Sequence, residues 1–341
     1  VAGLSENNRI TFQPDAASGG NLDNVILEKN VTDPGTADGW LVSVILDYIT
    51  FNNLTFREND NSQSVFNSSL MRIDGTPWFK PSSIVIEDCK FNGSDSSITG
   101  TGIAIDYWIK DITIRENTFT KLLYGISAEV LDGNNIVEDN QFLAGWRSAN
   151  GAGTPIGYAI IIGGQNLIIR RNIVDFNGSL NGGYTGINVL IQGNAESIFI
   201  EQNSISGTVS QAIKISGSAN QTAPIVIANN MINTYAYPVW ANESAYGMYV
   251  PAGNASIIFN TIAIGGYNYT GLTVYGDNCA VFNNIITAKA SQSFCYAYDQ
   301  GYTSLSLNLQ SDYNSIYIQT GIWNNWLVYS DGVAYYTLSE Y

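Results

Sequence analysis

The sequence is organised by a short pattern that returns from one end of the chain to the other. In its clearest copy, residues 111–121, Ile112 and Ile114 alternate along a strand, Asn117 follows as a pivot, and Phe119 comes two residues later. The other copies have pivots at residues 30, 54, 89, 140, 172, 203, 230, 260, 284 and 314. Ten intervals share the 284 residues between the first and last pivots, a mean period of about 28. Such a repeat is typical of a solenoid, in which each unit stacks on its neighbours.

Each copy of the pattern predicts two strands that meet at a sharp corner. Alternating Ile, Val and Phe indicate strands, and the residues at −5, −3 and +2 from the pivot should point into one core. Asn fills the pivot in nine of the eleven copies. Because Asn tolerates the left-handed backbone that a corner needs, we expect the pivot residues themselves to make the turn and to serve structure, not function.

A further strand precedes most copies, usually led by Gly. It recurs as GIAID, GISAE, GINVL, AIKIS, GMYVP and GLTVY, which begin at residues 102, 125, 186, 212, 247 and 271. Each repeat therefore contains three strands and loops of variable length.

This arrangement resembles the right-handed parallel β-helix of the pectate-lyase-like superfamily over roughly residues 9–316. The resemblance implies an all-β, single-stranded solenoid of about 10–11 coils. The rival is a leucine-rich repeat, but Ile, Val and Phe outnumber Leu at the apolar positions and no helical pattern follows the pivot. Residues 317–341 are predicted to be an aromatic-rich C-terminal cap, and they resemble the closing segments of β-helix modules in large secreted surface proteins.

Composition excludes several classes of function. The net charge is −15 with only 14 Lys and Arg, so a nucleic-acid-binding face is not expected. No apolar run is long enough for a membrane span. The chain has no His, which excludes the usual zinc sites and Ser-His-Asp catalysis. Sequons of the form Asn-x-Ser/Thr favour an extracellular glycoprotein, and they begin at Asn30, Asn53, Asn67, Asn92, Asn177, Asn220, Asn242, Asn254 and Asn268.

The three cysteines allow two interpretations. Cys89 takes a pivot position, Cys279 takes an inward strand position, and Cys295 lies on a strand. All three are expected to be free and buried, with a disulfide between Cys279 and Cys295 as the alternative.

An acidic column follows the Gly-led strands. Aligning these strands places Asp47, Asp74, Asp106 and Glu129 at one outward position in successive coils. Stacked carboxylates repel unless they spread into solvent, are protonated, or share a cation, and oxygen ligands favour Ca²⁺. In the polysaccharide lyases of the superfamily, acidic residues hold Ca²⁺ and an Arg or Lys abstracts a proton. Resemblance alone gives that role to Arg72, although no pectate-lyase motif surrounds it.

Two other interpretations of the acidic column stay open. Asp74 and Asp106 on neighbouring coils, about 4.8 Å apart, would suit the acid and nucleophile of a retaining glycosidase. Alternatively the four residues are ordinary turn residues, since Asp often begins a turn.

Aromatic residues are concentrated on the loops and Gly-led strands of the middle and later coils. Flat rings with a polar edge stack on sugar faces, although such rings also pack inside their own loops. The candidate carbohydrate-binding residues are Trp146, Tyr184, Tyr237, Trp240, Tyr249 and Tyr275, with Lys214 and Asn188 as hydrogen-bonding neighbours. The wider aromatic set includes Tyr158, Tyr235, Tyr246, Tyr267 and Tyr269.

These observations lead to two hypotheses of function. The first is an extracellular, non-catalytic surface or adhesive module whose partner is a polysaccharide or cell-surface glycan. The second is a polysaccharide lyase or glycoside hydrolase that uses the acidic column. No amphipathic helix precedes the first coil, so self-association through an uncapped N-terminal coil is also expected.

Overall fold

The computed structural model describes residues 9–14, 25–29, 39–58, 69–76, 78–93, 100–106, 109–143, 157–177, 184–191, 195–207, 209–217, 223–236, 245–267, 269–291, 294–298, 309–318, 326–330 and 333–335. Within these ranges, the side chains of residues 29, 129, 130, 236, 267, 289–291, 294–298, 318, 326–330 and 333–335 lie outside the description. The chain forms two compact units, residues 1–173 and 174–341. None of the described residues forms a helix long and apolar enough to span a bilayer.

Fourteen strands of the first unit lie within the described residues, in chain order. They are β1 Ile10–Phe12, β2 Ile26–Lys29, β3 Trp40–Val44, β4 Ile49–Asn52, β5 Thr55–Glu58, β6 Ser69–Ile73, β7 Ser82–Glu87, β8 Lys90–Asn92, β9 Thr101–Ile105, β10 Ile109–Arg115, β11 Thr118–Thr120, β12 Tyr124–Glu138, β13 Gln141–Leu143 and β14 Gly157–Arg170.

The second unit continues with the same order of strands, and β15 begins at the boundary residue Ile173. Its strands are β15 Ile173–Phe176, β16 Tyr184–Leu190, β17 Ser197–Glu201, β18 Ser204–Gly207, β19 Gln211–Ser216, β20 Ile225–Ala228, β21 Met231–Ala236, β22 Ala245–Val250, β23 Ala255–Ile258, β24 Thr261–Tyr267, β25 Tyr269–Val274, β26 Ala280–Phe282, β27 Ile285–Ser291, β28 Phe294–Tyr298, β29 Gln310–Asp312, β30 Ser315–Ile318, β31 Trp326–Ser330 and β32 Val333–Tyr335.

In each unit the strands form three parallel ladders, one strand of each per coil. In the first unit, the first ladder is β3–β6–β9–β12–β14, the second is β1–β4–β7–β10–β12–β14 and the third is β2–β5–β8–β11–β13. The long strands β12 and β14 run through both the first and the second ladder.

The ladders of the second unit follow the same rule. The first ladder is β16–β19–β22–β25–β28–β31, the second is β17–β20–β23–β26–β29 and the third is β18–β21–β24–β27–β30. The predicted parallel β-helix, with Gly-led, I-x-I and post-pivot strands, is therefore the observed architecture.

The core lies between the three ladders and is filled by columns of equivalent side chains. The inward second-ladder residues are fully buried and in register, as predicted: Ile86 and Ile114 in the first unit, Ile200 and Ile227 in the second. In the third ladder of the first unit, the rings of Phe56, Phe91, Phe119 and Phe142 stack with centroids 4.7–5.0 Å apart and planes within 8°. Each such ring pair contributes about 0.5–1.5 kcal/mol beyond its buried area.

The corner differs from the prediction in one respect. The left-handed residue is the one before the pivot, with φ of +59° at Glu116, +57° at Asp139 and +58° at Phe259. The pivot Asn instead hydrogen-bonds to the coil before it. Asn140 accepts the backbone N–H of Asn117 at Oδ1 (3.0 Å), and its Nδ2 donates to the carbonyl of Ile114 (2.9 Å). Asn is selected because its amide both accepts and donates, so the buried corner amides are satisfied.

The buried cysteines are inert. Cys89 and Cys279 are free thiols, as the first interpretation predicts, and the side chain of Cys295 lies outside the described residues. Burial raises the pKa of Cys89 to about 12 and also raises that of Cys279. Both stay protonated near neutral pH, which suppresses nucleophilic chemistry.

Described strands lie on both sides of the predicted C-terminal boundary. Residue 316 lies inside β30, and β31 then adds another parallel strand beside β28. The chain reverses only at β32, which pairs antiparallel with β31. This reversal covers the free edge of β31, a position that would otherwise present unpaired backbone groups.

Replacing Ile200 with Ala should lower the free energy of unfolding by about 2–5 kcal/mol, because transfer energy is lost and a cavity remains. Chemical denaturation followed by circular dichroism measures the change. The neighbouring Phe199→Ala variant is the control, since Phe199 points to solvent and its loss should cost much less. Equal effects of the two substitutions would contradict the inward assignment.

Candidate functional site

The acidic residues of the first unit gather around one arginine. Asp74 and Asp106 occupy the same position after β6 and β9, since their backbone N–H groups donate to Val44 and Ile73 of the preceding coils, each at 2.9 Å. Arg72 Nε donates to Asp74 Oδ1 at 2.7 Å and to Asp106 Oδ2 at 3.1 Å, and Arg72 Nη2 also donates to Asp106. We call Arg72, Asp74, Asp106 and Trp40 the arginine cluster.

Trp40 completes this cluster from the coil before. The Arg72 guanidinium carbon lies 4.7 Å from the centroid of the Trp40 ring, a cation–π arrangement. Ser43 Oγ also donates to Asp74 Oδ2 at 3.1 Å. The arginine is therefore held by two carboxylates and a ring, while the cluster stays half-exposed.

The protonation behaviour of the cluster follows from these contacts. Burial lowers the pKa of Arg72, but the hydrogen bonds and charges of Asp106 and Asp74 outweigh it and raise that pKa above the ordinary value. Burial, together with Asp74, raises the pKa of Asp106 against the opposing effect of Arg72. An arginine whose pKa is raised does not accept a proton near neutral pH, so the cluster gives Arg72 no means to act as a base.

Two of the four predicted acidic residues, Asp47 and Glu129, do not belong to the arginine cluster. Asp47 was aligned two residues out of register, because Val44 pairs with Ile73 and the equivalent of Asp74 is therefore Ile45. Asp47 Oδ1 instead accepts the backbone N–H of Ser82 at 2.6 Å, so it closes the corner before β7. Glu129 follows Ala128, which pairs with Ile105, so its backbone does match Asp106; its side chain lies outside the described residues.

These positions do not fit the predicted Ca²⁺ site. The oxygens of Asp74 and Asp106 that would face a shared ion already accept hydrogen bonds from Arg72. Among the described residues no group of three or more acidic, Cys or His side chains is placed to hold a metal ion.

Three tyrosines of the second unit form a second cluster on the outer face of the first ladder. The Tyr249 ring centroid lies 4.8 Å from that of Tyr246, with the planes tilted by 46°, and 5.6 Å from that of Tyr275, edge to face at 67°. We call these residues the tyrosine cluster. Burial, with a smaller effect of Tyr246, raises the pKa of Tyr249, so its phenol stays neutral and able to donate.

Polar side chains continue the column that holds Tyr249. Lys214 pairs in register with Tyr249, and Asn188 pairs in register with Lys214. Ser216 Oγ donates to Asn188 Oδ1 at 3.0 Å, which fixes that amide. Lys214 thus lies next to Tyr249 on the neighbouring strand, whereas Asn188 is two coils from Tyr249 and only 4% exposed.

The right-handed β-helix family model matches residues 40–232, more than half of the chain. The chain belongs to the right-handed β-helix family. The match shows the fold and its handedness, and it names no activity.

Other comparisons add little about what this β-helix does. The chain is similar to a hyperthermoactive exopolygalacturonase from Thermotoga maritima, with 11% identity and a TM-score of 0.32. That alignment covers 86% of this chain and 54% of the enzyme, so the chain spans about half of the enzyme's length. The likeness is too weak to carry an argument about activity. A search of curated proteins finds no significant match.

The remaining predicted binding residues of the β-helix divide into two groups. Tyr184 is only 3% exposed and packs on Phe176, with ring centroids 4.9 Å apart, so the prediction that it contacts a ligand is wrong. Tyr184 is the first residue of β16. Trp146, Tyr237 and Trp240 lie outside the described residues.

Sequence reasoning missed aromatic residues in the first unit. Trp40 was not predicted beside the acidic column, and Tyr124 was not predicted to stack on Tyr158, whose ring centroid lies 5.7 Å away. Trp40 and Tyr124 begin β3 and β12, and Tyr158 pairs in register with Tyr124 on β14. Extending the alignment of these strands by one residue towards the N-terminus would have placed all three in one column.

Replacing Arg72 with Met should lower the melting temperature more at pH 7 than at pH 4. Without the arginine, Asp74 and Asp106 repel each other at pH 7, and protonation through the raised pKa of Asp106 relieves this repulsion as the pH falls. Differential scanning fluorimetry at the two pH values measures the effect.

The matched control is Arg57→Met, which breaks the exposed pair with Glu28 and should change the melting temperature little at either pH. Millimolar Ca²⁺ should raise the melting temperature of Arg72→Met, where the two carboxylates are released, and leave the wild type unchanged. An equal penalty for Arg72→Met at both pH values would contradict this account of the cluster.

Proposed function

We propose that this β-helix is an extracellular, non-catalytic surface or adhesive module that binds carbohydrate. The tyrosine cluster with Lys214 carries the proposal. Sequons support the extracellular setting, and Asn177 in one of them is exposed.

The geometry of the tyrosine cluster suits a sugar. A sugar ring offers C–H groups on its faces and hydroxyls on its edge, so it needs apolar rings beside hydrogen-bonding groups. Tyr246, Tyr249 and Tyr275 supply rings at different tilts together with three hydroxyls, and none of them is fully exposed. Rings that are partly packed lose little freedom on binding, which favours affinity.

Charge indicates which glycans fit. The chain carries a net charge of −15, so a densely anionic polysaccharide would be repelled at long range. Lys214 is the one basic residue in register with the tyrosine cluster and could pair with an occasional carboxylate. A neutral or sparsely charged glycan is therefore the proposed ligand.

The alternative, a lyase or hydrolase, draws support from Asp74 and Asp106. They share one outward face, and the pKa of Asp106 is raised, as expected of a general acid. Against this, Arg72 hydrogen-bonds to both carboxylates. A glycosidase acid must reach the glycosidic oxygen, and its nucleophile must be free to attack, so the arginine opposes both roles.

Tyr249→Ala should weaken binding to a neutral polysaccharide about tenfold, because the central ring of the cluster is lost. Retardation in native gels containing galactomannan, xyloglucan or hydroxyethyl cellulose measures binding, with polygalacturonate as the acidic polymer. Tyr235→Ala is the matched control, since Tyr235 is an exposed tyrosine of the third ladder in the same unit.

New reducing or unsaturated ends should not appear in any of these polymers. Cleavage that disappears in Asp74→Asn or Asp106→Asn would replace the proposal with the enzyme alternative. Retardation unchanged in Tyr249→Ala would place the binding site elsewhere.

We also propose that the N-terminal coil pairs with a second copy of the chain. β1 pairs with β4, and no strand of the described residues pairs with its other side. Phe12 on β1 is 48% exposed although its ring stacks on Phe51 at 5.1 Å, and Ile26 and Trp40 on the neighbouring strands are also exposed. An open strand edge beside apolar side chains is a template for association.

Sedimentation velocity should show a concentration-dependent dimer that Phe12→Lys weakens, because the charge is buried at the pairing edge. The control is Trp78→Lys, which changes a residue that is 96% exposed and lies outside the first coil. A monomer at all concentrations, or equal effects of the two substitutions, would contradict the pairing.

A further inference from the structure

The residue before each pivot forms a column of its own along the outside of the corner. In the second unit the column begins at Gln202, and its next four members are Asn229, Phe259, Asn283 and Tyr313, all with φ between +56° and +58°. Their coils are consecutive, because the backbone N–H of Asn229 donates to Ile258 (3.2 Å), that of Phe259 to Phe282 (3.2 Å) and that of Asn283 to Asp312 (3.4 Å). We call these four residues the corner stripe.

The fold itself does not call for aromatic residues here. The left-handed conformation is tolerated by Asn and Asp, whose short side chains hydrogen-bond locally, whereas a bulky ring in it is an outlier. The corresponding column of the first unit contains only polar residues among those described: Asn53, Asp88, Glu116, Asp139 and Arg171. Phe259 and Tyr313 therefore carry a conformational cost that Asn or Asp avoids at other coils.

The exposure of these two rings to water adds a second cost in stability. Phe259 is 56% exposed and Tyr313 is 77% exposed, so neither ring recovers its cost by packing in the core. Met231 and Ile285, each just after the pivot of its own coil, are exposed as well. Four successive coils thus present a large apolar side chain beside the corner, and contiguous apolar surface of this kind marks an interaction site.

The order of side chains indicates the chemistry of the partner. Amide and ring alternate along the stripe as Asn, Phe, Asn and Tyr, and both Asn side chains are exposed. Equivalent residues of neighbouring coils are about 4.8 Å apart, so the two rings are about 10 Å apart with an amide between them. An extended glycan presents the same alternation, since each sugar offers an apolar face and an edge of hydroxyls.

The charge of the second unit further narrows the chemical class of the partner. Residues 174–341 contain nine acidic residues and two basic ones, Lys214 and Lys289. Lys214 and Lys289 belong to the first and third ladders, and no residue of the stripe is basic. Asp312 accepts the backbone N–H of Tyr313 at 2.8 Å, which places a carboxylate at one end of the stripe. Anionic lipids and acidic polymers would be repelled.

We propose that the corner stripe binds an uncharged, extended glycan, with Phe259 and Tyr313 stacking on alternate sugars and Asn229 and Asn283 bonding to the hydroxyls between them. The proposal extends the carbohydrate binding proposed above to a second surface, but it stands on different residues. It requires that the rings be kept for a ligand at the expense of stability.

The test is the double variant Phe259→Asn, Tyr313→Asn. Its melting temperature should be higher than that of the wild type, because Asn adopts the left-handed conformation more readily and two exposed rings are removed. Its retardation by galactomannan, xyloglucan or hydroxyethyl cellulose should be weaker by about tenfold, the loss of stacking on two rings. A protein that becomes more stable and binds less well is a result that misfolding does not produce.

The matched control is Glu116→Asn, the same conversion at an exposed left-handed position of the first unit. It should raise the melting temperature and leave retardation unchanged. Repeating the double substitution in a Tyr249→Ala background separates the two surfaces, because residual binding after Tyr249→Ala should disappear only when the stripe is changed too.

Each outcome of the experiment is decisive for the stripe. Retardation that Tyr249→Ala abolishes and the double variant does not change would overturn the stripe and leave the tyrosine cluster standing. The reverse result would support the stripe and remove the cluster. Absence of retardation by all three polymers would contradict both, and a dimer that the double variant dissociates would mark the stripe as an interface between copies and contradict glycan binding.

Discussion

Side chains of the ladder strands lie next to their equivalents one coil away, because parallel strands fix the coils about 4.8 Å apart. Each column must therefore contain side chains that can lie this close to a side chain of the same kind without repelling it. Phenylalanines satisfy this by stacking their rings, as Phe91 and Phe119 do at 5.0 Å, and asparagines by bonding amide to amide. Carboxylates do not satisfy it alone, and Asp74 and Asp106 lie together with Arg72 hydrogen-bonded to both.

This rule explains which parts of the structure the sequence could predict. Inward positions repeat strictly, so Ile86, Ile114 and Ile200 were placed correctly from spacing alone. The left-handed residue was misplaced by one position, because Asn117 is conspicuous for its amide ladder and Glu116 beside it gives no sign of its backbone conformation. A residue type that repeats from coil to coil indicates a hydrogen bond or a packing contact shared between coils. A left-handed backbone conformation can be adopted by many residue types, so it leaves no such repeat in the sequence.

Outward positions were harder to predict because loops of different length precede the strands. Asp47 was aligned with Asp74, yet the pairing of Val44 with Ile73 places it beyond the ladder, where it accepts from Ser82. Tyr184 looked like a surface residue but packs on Phe176, and Trp40 beside Arg72 was overlooked. Predicting which side chains meet on the surface requires the strand register to within one residue. Predicting which side chains fill the core requires only the period of the repeat. The functional proposals therefore rest on the tyrosine cluster and the corner stripe, whose register the strand pairs give.

The asparagine ladder also has a direction. Asn140 directs its Oδ1 to the backbone of Asn117 and its Nδ2 to Ile114, and Asn260 bonds in the same sense to Asn230 and Ile227. Each asparagine thus turns its side-chain oxygen to the coil synthesised before it. Its backbone N–H and one side-chain N–H donate to the asparagine of the coil that follows, as Asn140 does to Asn172. A nascent chain emerging from its N-terminus can complete one corner at a time, with the newest coil supplying the amide that its predecessor lacks. With vectorial growth of this kind, only the most recent coil lacks an acceptor for its corner N–H groups. Replacing one pivot asparagine would leave the corner of the preceding coil without that acceptor.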